Sequence, residues 1–154
     1  MIMKKRILFA IAATAIIAAC THNDGNIGDW FGAWKLREVT INGTPDAAYG
    51  GNMFWKFQSA TIEICALDEY HGRTDSWGSW EEVTSSSGKI LRLDFTHSDN
   101  DHPVGSSKYS PPKATHLPAA TISDLDVLLL NSKNLHLRYV APDATVYEYT
   151  FTKQ

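Results

Sequence analysis

Two histidines and two aspartates lie within six consecutive residues, in the segment 97–102 (HSDNDH). Imidazole and carboxylate groups can ligate a transition metal, and Asp or Asn oxygens can ligate calcium. The segment lacks the spacing and the terminal glutamate of an EF-hand loop, and it is not the His-x-x-x-His pattern of a metal-binding helix. A solvated polar turn is the alternative, and we favour it. We therefore predict no metal and no other cofactor.

Paired carboxylates are the next candidates, because a general acid and a general base together can hydrolyse a glycosidic bond. Glu81 and Glu82 are adjacent, and Asp124 and Asp126 are two residues apart. Neighbours on a strand point to opposite faces, and a like-charged pair on one face is commonly solvated. The chain also lacks Gly-x-Ser-x-Gly, a phosphate-binding glycine loop and a dinucleotide fingerprint. We predict that the protein is not an enzyme, and we assign no catalytic residue.

A third reactive group, a cysteine, ends an apolar run near the N-terminus. Lys4, Lys5 and Arg6 precede the apolar and small residues of 7–19, which only Thr14 interrupts. As a helix this run covers about 20 Å, less than the roughly 30 Å of a bilayer's hydrocarbon core. A basic start, a short apolar segment and small residues at its end are typical of a cleaved secretory signal.

The end of this run, Ile17-Ala18-Ala19-Cys20, resembles the bacterial lipobox. The resemblance implies that residues 1–19 are a lipoprotein signal peptide with a helical apolar segment. It also implies that Cys20 carries the lipid that anchors the protein to a bilayer. The alternatives are a plain secretory signal with an incidental cysteine and a buried apolar helix of the domain.

The residues after Cys20 bear on the location of the protein. Thr21 stands where the inner-membrane retention signal of bacterial lipoproteins has an aspartate, which favours the outer membrane. Residues 20–28 are polar and contain glycine, as expected of a tether. Asp24 is their only acidic residue, so both a periplasmic and a cell-surface position stay open.

Removal of residues 1–19 leaves 135 of the 154 residues, the size of one domain. The removed segment holds three of the 14 basic residues and none of the 17 acidic ones, so 11 basic residues remain against 17 acidic and the net charge is −6. An acidic domain without a basic patch argues against nucleic acid as a partner. If Cys20 is lipidated, Cys65 has no disulfide partner, and its neighbours Ile64 and Ala66 predict a buried wall position.

The rest of the chain is all-β, with alternating runs separated by Gly, Pro, Asn, Asp and Ser. Eight strands are predicted, at residues 33–41, 53–58, 61–66, 77–83, 89–95, 122–130, 135–140 and 146–152. The parity of the first strand changes near Arg37-Glu38, which predicts a bulge. Short antiparallel strands with tight turns favour an eight-stranded meander barrel over a sandwich, because a barrel leaves no open edges.

The first strand opens with Gly32-Ala33-Trp34, and the last reads Tyr-x-Tyr-x-Phe-x-Lys from Tyr147 to Lys153. Together with the lipobox, the tether and the eight strands, these motifs resemble the lipocalin-like lipoprotein domains of Gram-negative bacteria. The resemblance implies a barrel domain at 29–154 whose base is plugged by the turn at Trp30-Phe31. Lipocalins also pack an arginine of a late strand on the tryptophan. Arg138 lies on a late strand, but its parity points it away from that strand's leucines.

The aromatic residues are numerous for one domain. They can fill the core, which is our main interpretation, or line a cavity for an apolar ligand, since an eight-stranded barrel is either filled or holds one small ligand. If a cavity exists, the expected lining residues are Trp34, Trp55, Phe57, Leu93, Tyr139, Tyr147 and Tyr149.

Two functions remain open. The leading hypothesis is a membrane-anchored, non-enzymatic domain that binds a small hydrophobic ligand or lipid. The alternative is a protein-interaction module, such as an inhibitor or an accessory subunit of an envelope complex. It would act through the Pro-rich loop 96–120, because exposed loops commonly carry binding residues.

Overall fold

Nine strands, most of them with alternating apolar and polar residues, form within residues 28–154, which are the residues that the computed structural model describes. The predicted signal peptide, its helix, Cys20 and the tether up to residue 27 lie outside the described residues. The strands are β1 (Gly32–Ile41), β2 (Thr44–Pro45), β3 (Met53–Gln58), β4 (Thr61–Leu67), β5 (Arg73–Ser85), β6 (Gly88–Asp94), β7 (Ile122–Leu130), β8 (Asn134–Val140) and β9 (Val146–Lys153). Three 3₁₀ turns accompany them, at Gly28–Trp30, Ser107–Tyr109 and Lys113–Thr115.

The eight long strands form a closed antiparallel barrel. From β3 to β9 each strand pairs with the next in the chain, and β1 pairs with both β3 and β9. The two-residue β2 extends one end of β1 only. The predicted eight-stranded meander barrel is therefore confirmed, and the sandwich is excluded.

Inward-facing side chains fill the barrel. Strands β3 and β8 alternate strictly between buried and more exposed residues, as expected when one face packs on a core. The largest fully buried side chains are Trp34, Trp55, Tyr149, Phe57, Phe95 and Phe151. Burial of one such ring stabilises the fold by roughly 1.5–3 kcal/mol, so the aromatic residues are a main source of the barrel's stability.

Two details of register agree with the sequence pattern. The pairing of β1 with β9 shifts between Leu36 and Glu38, which is the predicted bulge. In the last hairpin, Leu137 lies opposite Tyr149, so the apolar faces of β8 and β9 meet as expected.

The prediction for the fourth long strand was wrong at its start. This strand begins at Arg73 instead of Trp77 and runs for 13 residues. Its inward positions carry small residues, Ser76 and Gly78, whereas Trp77 points outward and is 37% exposed. The usual apolar alternation is therefore missing in its first half, although the pairing with β4 is continuous.

The two ends of the barrel differ in their connections. We call base the end that holds the 3₁₀ turn Gly28–Trp30 and the β3–β4, β5–β6 and β7–β8 turns. We call top the opposite end, where residues 95–121 link β6 to β7. Within the described part of the chain, no helix is long and apolar enough to span a membrane.

Candidate functional site

The seven residues expected to line a cavity lie together, but in a packed interior. Six of them are buried, at 0–7% exposure, and Tyr147 is half-buried. The Trp55 ring centroid lies 5.6 Å from that of Tyr149 and 5.0 Å from that of Phe151, which is ordinary aromatic packing. The middle of the barrel is thus filled with side chains. A ligand role for the seven residues stays a prediction.

Aromatic rings also plug the base. Trp30, on the 3₁₀ turn, packs its ring 5.1 Å from Phe57 and 5.3 Å from Trp80. Its carbonyl oxygen accepts a 3.0 Å hydrogen bond from Nε1 of Trp34. The turn is therefore held against the barrel both by ring packing and by the tryptophan of the Gly-x-Trp motif.

Lys153 makes the cationic contact that the resemblance assigned to an arginine. Its Nζ lies 4.5 Å from the ring centroid of Trp34 and donates a 2.7 Å hydrogen bond to the carbonyl oxygen of Asp29. Arg138, as its parity predicted, points outward and pairs with Asp126 at 3.0 Å. Burial lowers the pKa of Lys153, while the nearby Asp29 opposes that shift.

The most spacious cavity described lies at the base, next to this plug. It has a volume of about 920 Å³ and opens to solvent. Its lining comes from the 3₁₀ turn, the β3–β4 turn, the β5–β6 hairpin and the end of β7: Gly28, Asp29, Trp30, Ser59, Ala60, Trp80, Glu81, Glu82, Lys89, Val127, Leu128, Leu129 and Leu130. The volume is within the range of small-molecule sites.

A bulge in β7 creates the apolar wall of this cavity. The pairing of β7 with β8 shifts between Val127 and Leu129, so the alternation of faces breaks there. Val127, Leu128, Leu129 and Leu130 all line the cavity in consequence. Leu128 and Leu129 remain 41% and 46% exposed, which is unusual for two adjacent leucines in a strand.

The opposite wall of the cavity is charged. A carboxylate oxygen of Glu82 accepts a 2.8 Å hydrogen bond from Nε1 of Trp30, and the other lies 3.1 Å from Nζ of Lys89. Burial raises the pKa of Glu82, but these two partners outweigh it and leave the pKa below its usual value. Asp29 and Glu81 also line the cavity, so three carboxylates face one ammonium group.

One polar group in the cavity wall has no partner. Nε1 of Trp80 is inaccessible to solvent and makes no hydrogen bond within residues 28–154. A buried N–H without an acceptor costs free energy, roughly 1–3 kcal/mol.

The top of the barrel is closed mainly by the long connection between β6 and β7. Its residues 113–117 pass over the opening and bury Thr115 and Leu117. The hydroxyl of Tyr149 donates a 2.6 Å hydrogen bond to the carbonyl oxygen of Thr115. His116 lies 2.8 Å from Asp46 and stacks on Tyr147 with 4.8 Å between ring centroids.

We call residues 96–120 the strap. A second cavity, of about 440 Å³, lies between it and β5.

The polar segment 97–102 folds on itself. Asp99 accepts hydrogen bonds from Nζ of Lys108 at 2.7 Å and the hydroxyl of Tyr109 at 2.8 Å. Its other oxygen lies 2.8 Å from Nδ1 of His102, whereas His97 pairs with Ser79 on β5. No group of three or more His, Cys, Asp or Glu side chains in the described residues could hold a metal ion. The backbone N–H groups of Asp101 and His102 also donate to Asp99, so the segment forms a hydrogen-bonded turn.

The two acid pairs form ion pairs on the surface. Arg92 lies 2.8 Å from Asp124 and 3.5 Å from Glu81. Cys65 is a free thiol buried in the wall, and burial raises its pKa.

Sequence reasoning missed Glu82, Lys89 and Trp80 as cavity residues. The alternation of faces along β5 could have indicated two of them, because Trp80 and Glu82 are two residues apart and therefore point to the same face.

Solved structures resemble this barrel. The chain superposes on a lipocalin-like protein from Bacteroides uniformis with a TM-score of 0.57 at 19% identity, covering 82% of this chain and 100% of that one. A protein from Bacteroides eggerthii gives 0.55 at 17% identity, covering 81% and 99%. No protein-family model and no curated protein matches the chain. At these identities the comparison shows the fold, a closed eight-stranded antiparallel barrel of the lipocalin-like kind.

Proposed function

We propose that this protein is an outer-membrane lipoprotein, anchored through acylated Cys20, whose barrel binds a small hydrophobic ligand or lipid without catalysing a reaction. The ligand site is the cavity at the base. The observation that carries the proposal is its volume of about 920 Å³, with an apolar wall from Val127 to Leu130 beside the Trp30 and Trp80 rings. Because the interior around Trp55 is filled, the base cavity offers a ligand more room than the barrel axis does.

The position of the cavity fits the proposed anchor. Gly28 and Asp29 line it, so the tether of 20–28 would lead from the bilayer to its rim. Nine extended residues span at most about 32 Å, so the site would stay close to the membrane surface. An apolar ligand that partitions into the bilayer would meet the cavity there.

Binding can be tested with N-phenyl-1-naphthylamine, an uncharged probe that fluoresces in apolar sites. The chain from residue 20 onward, carrying Cys20→Ser, includes every strand of the closed barrel. We expect saturable binding that Ala60→Trp abolishes, because Ala60 lines the base cavity. Ala119→Trp is the matched control, because Ala119 is also exposed but lines the strap cavity. Absence of saturable binding, or loss only in Ala119→Trp, would refute the base site.

Anchoring needs its own test. We expect cells that express the full chain to incorporate labelled palmitate into it and to place it in the outer-membrane fraction. Cys20→Ser should lose the label, whereas Cys65→Ser should keep it. A labelled Cys20→Ser variant would contradict the proposed anchor.

The interaction module stays a second candidate, supported by the order of the strap. The contacts of Asp99 fix the conformation of the outer part of the strap, where Val104 is 48% exposed. A preformed loop loses little entropy when a partner binds. Deletion of the strap would uncover Leu117 and the core, so a point change is the better test. Val104→Glu should reduce capture of an envelope partner if this function is correct.

A further inference from the structure

We infer that the base cavity selects ligands with a cationic head and an apolar tail. This inference rests on the proposed ligand site and names its ligand class. Its basis is the division of the cavity into an apolar wall, from Val127 to Leu130, and a wall that carries the charges of Asp29, Glu81, Glu82 and Lys89.

The charge balance excludes an anion as the preferred occupant. Among the described residues, Lys89 is the only lysine that lines the cavity, and its Nζ lies 3.1 Å from Glu82. Arg92 reaches Glu81 from the neighbouring groove at 3.5 Å, with a shorter contact to Asp124. The charge of Lys153 lies near Asp29. The described lining residues still carry three carboxylates against one ammonium group, so an anionic head would meet a net negative wall. A cationic head would be attracted to the same wall, because opposite charges a few ångströms apart near a protein surface attract each other.

The exposed part of Trp80 favours the same sign. Trp80 lines the cavity and is partly exposed, and tryptophan is the side chain whose ring attracts cations most strongly. Trp30 is 3% exposed, with its ring packed on Phe57 and Trp80, and its Nε1 holds the Glu82 carboxylate in place. An apolar tail would then lie along the adjacent leucines. This order of charge, ring and aliphatic wall corresponds to an alkylammonium amphiphile.

Three probes with twelve-carbon chains separate the possibilities: dodecyltrimethylammonium, dodecyl maltoside and dodecanoate, whose chain includes its carboxyl carbon. Each would displace N-phenyl-1-naphthylamine from the chain beginning at residue 20 with Cys20→Ser, at pH 7 and below its micelle concentration. We expect the cationic probe to bind about tenfold tighter than the neutral one, which corresponds to about 1.4 kcal/mol, because it meets several carboxylates at once in a concave site. Dodecanoate should bind more weakly than the neutral probe. Because added salt screens charges, it should reduce the difference in affinity between the cationic and neutral probes and that between the neutral probe and dodecanoate.

Two variants test which carboxylate causes the preference for the cationic probe. Glu81→Gln removes a carboxylate that is exposed and lines the cavity, and it should reduce the preference for the cationic probe several-fold. Glu148→Gln is the matched control, since Glu148 pairs with His136 on the outer wall, and it should change nothing. Cooperative unfolding of each variant confirms that it is folded.

The outcomes are distinct. Equal binding of the three probes, or tighter binding of dodecanoate, would overturn this inference and leave the ligand site standing. Failure of all three, together with failure of the naphthylamine, would overturn the proposed function itself. Selectivity that persists unchanged in Glu81→Gln and at high salt would also contradict the charge argument.

Discussion

The two ends of the barrel are closed by different physical means. At the base, the rings of Trp30, Phe57 and Trp80 pack together and leave an open, charged cavity beside them. At the top, the strap passes over the opening and is held by directed polar contacts, chiefly that of Tyr149 with Thr115. The cavity at the plugged base, of about 920 Å³, is also larger than the one of about 440 Å³ beside the strap.

Removal of the plug should have the largest effect. Trp30→Ala deletes two ring contacts and leaves a hole at the base, so we expect the free energy of unfolding to fall by about 3–5 kcal/mol. Urea unfolding measures this change. Phe31→Ala is the control, because Phe31 is 59% exposed and should cost little. A loss below about 1 kcal/mol for Trp30→Ala would mean that the 3₁₀ turn does not support the barrel.

At the top, loss of a single hydroxyl should weaken the strap without disturbing the core. Tyr149→Phe keeps the ring but removes the hydrogen bond to the carbonyl of Thr115, so we expect a loss of about 1–2 kcal/mol. Hydrogen exchange should also become faster at residues 113–117. Tyr147→Phe makes the same chemical change on the same strand without removing that bond. If the two variants lost equal stability, the strap would not depend on this contact.

Lys153 should contribute more to stability at the base than the outward-facing Arg138 does on the wall. Lys153→Met removes both the cation over Trp34 and the hydrogen bond to Asp29, and we expect a loss of about 1 kcal/mol. Arg138→Met removes the outward ion pair with Asp126 and should cost less, since exposed pairs contribute about 0–1 kcal/mol. Urea unfolding of the two variants measures both losses of free energy of unfolding. An equal or larger loss for Arg138→Met would show that Lys153 does not fasten the plug.

The smallest effect should come from the outer part of the strap, and it depends on pH. Hydrogen bonds from Lys108 and Tyr109 hold the pKa of Asp99 well below its usual range. A carboxylate with a lowered pKa stabilises the folded state above its unfolded pKa, near 3.9, and this contribution is lost as pH falls below that value.

We therefore expect Asp99→Asn to destabilise the protein at pH 7 and to reduce the loss of stability between pH 5 and 2. Urea unfolding across this pH range gives both quantities. Asp101→Asn, two residues away, is the control for the loss of one carboxylate from the same segment. An unaltered acid profile in Asp99→Asn would mean that the strap does not use this carboxylate.

Much of the fold could be predicted from residue patterns. The alternation in β3, β4, β8 and β9 reflects a barrel wall with one buried face, so the strands and the pairing of the last hairpin followed from it. Strand β5 was harder, because its buried positions hold Ser76 and Gly78, which pack under other residues without an apolar signal. The site was less predictable still. Most aromatic residues of the strands lie in the interior as predicted, although Trp77 is exposed, whereas the residues that line the base cavity come from four separate segments.

The sequence by itself determined the alternation of faces, the bulge near Arg37, the buried position of Cys65 and the excess of acidic residues, because each of these depends on neighbours along the chain. Only the tertiary structure decided that the barrel closes, that Lys153 instead of Arg138 covers Trp34, and that Glu82 meets Trp30 across 52 positions. It also decided that the space for a ligand lies at the base. Such contacts depend on strand register and on how side chains from distant segments fill a common volume, which no local pattern encodes.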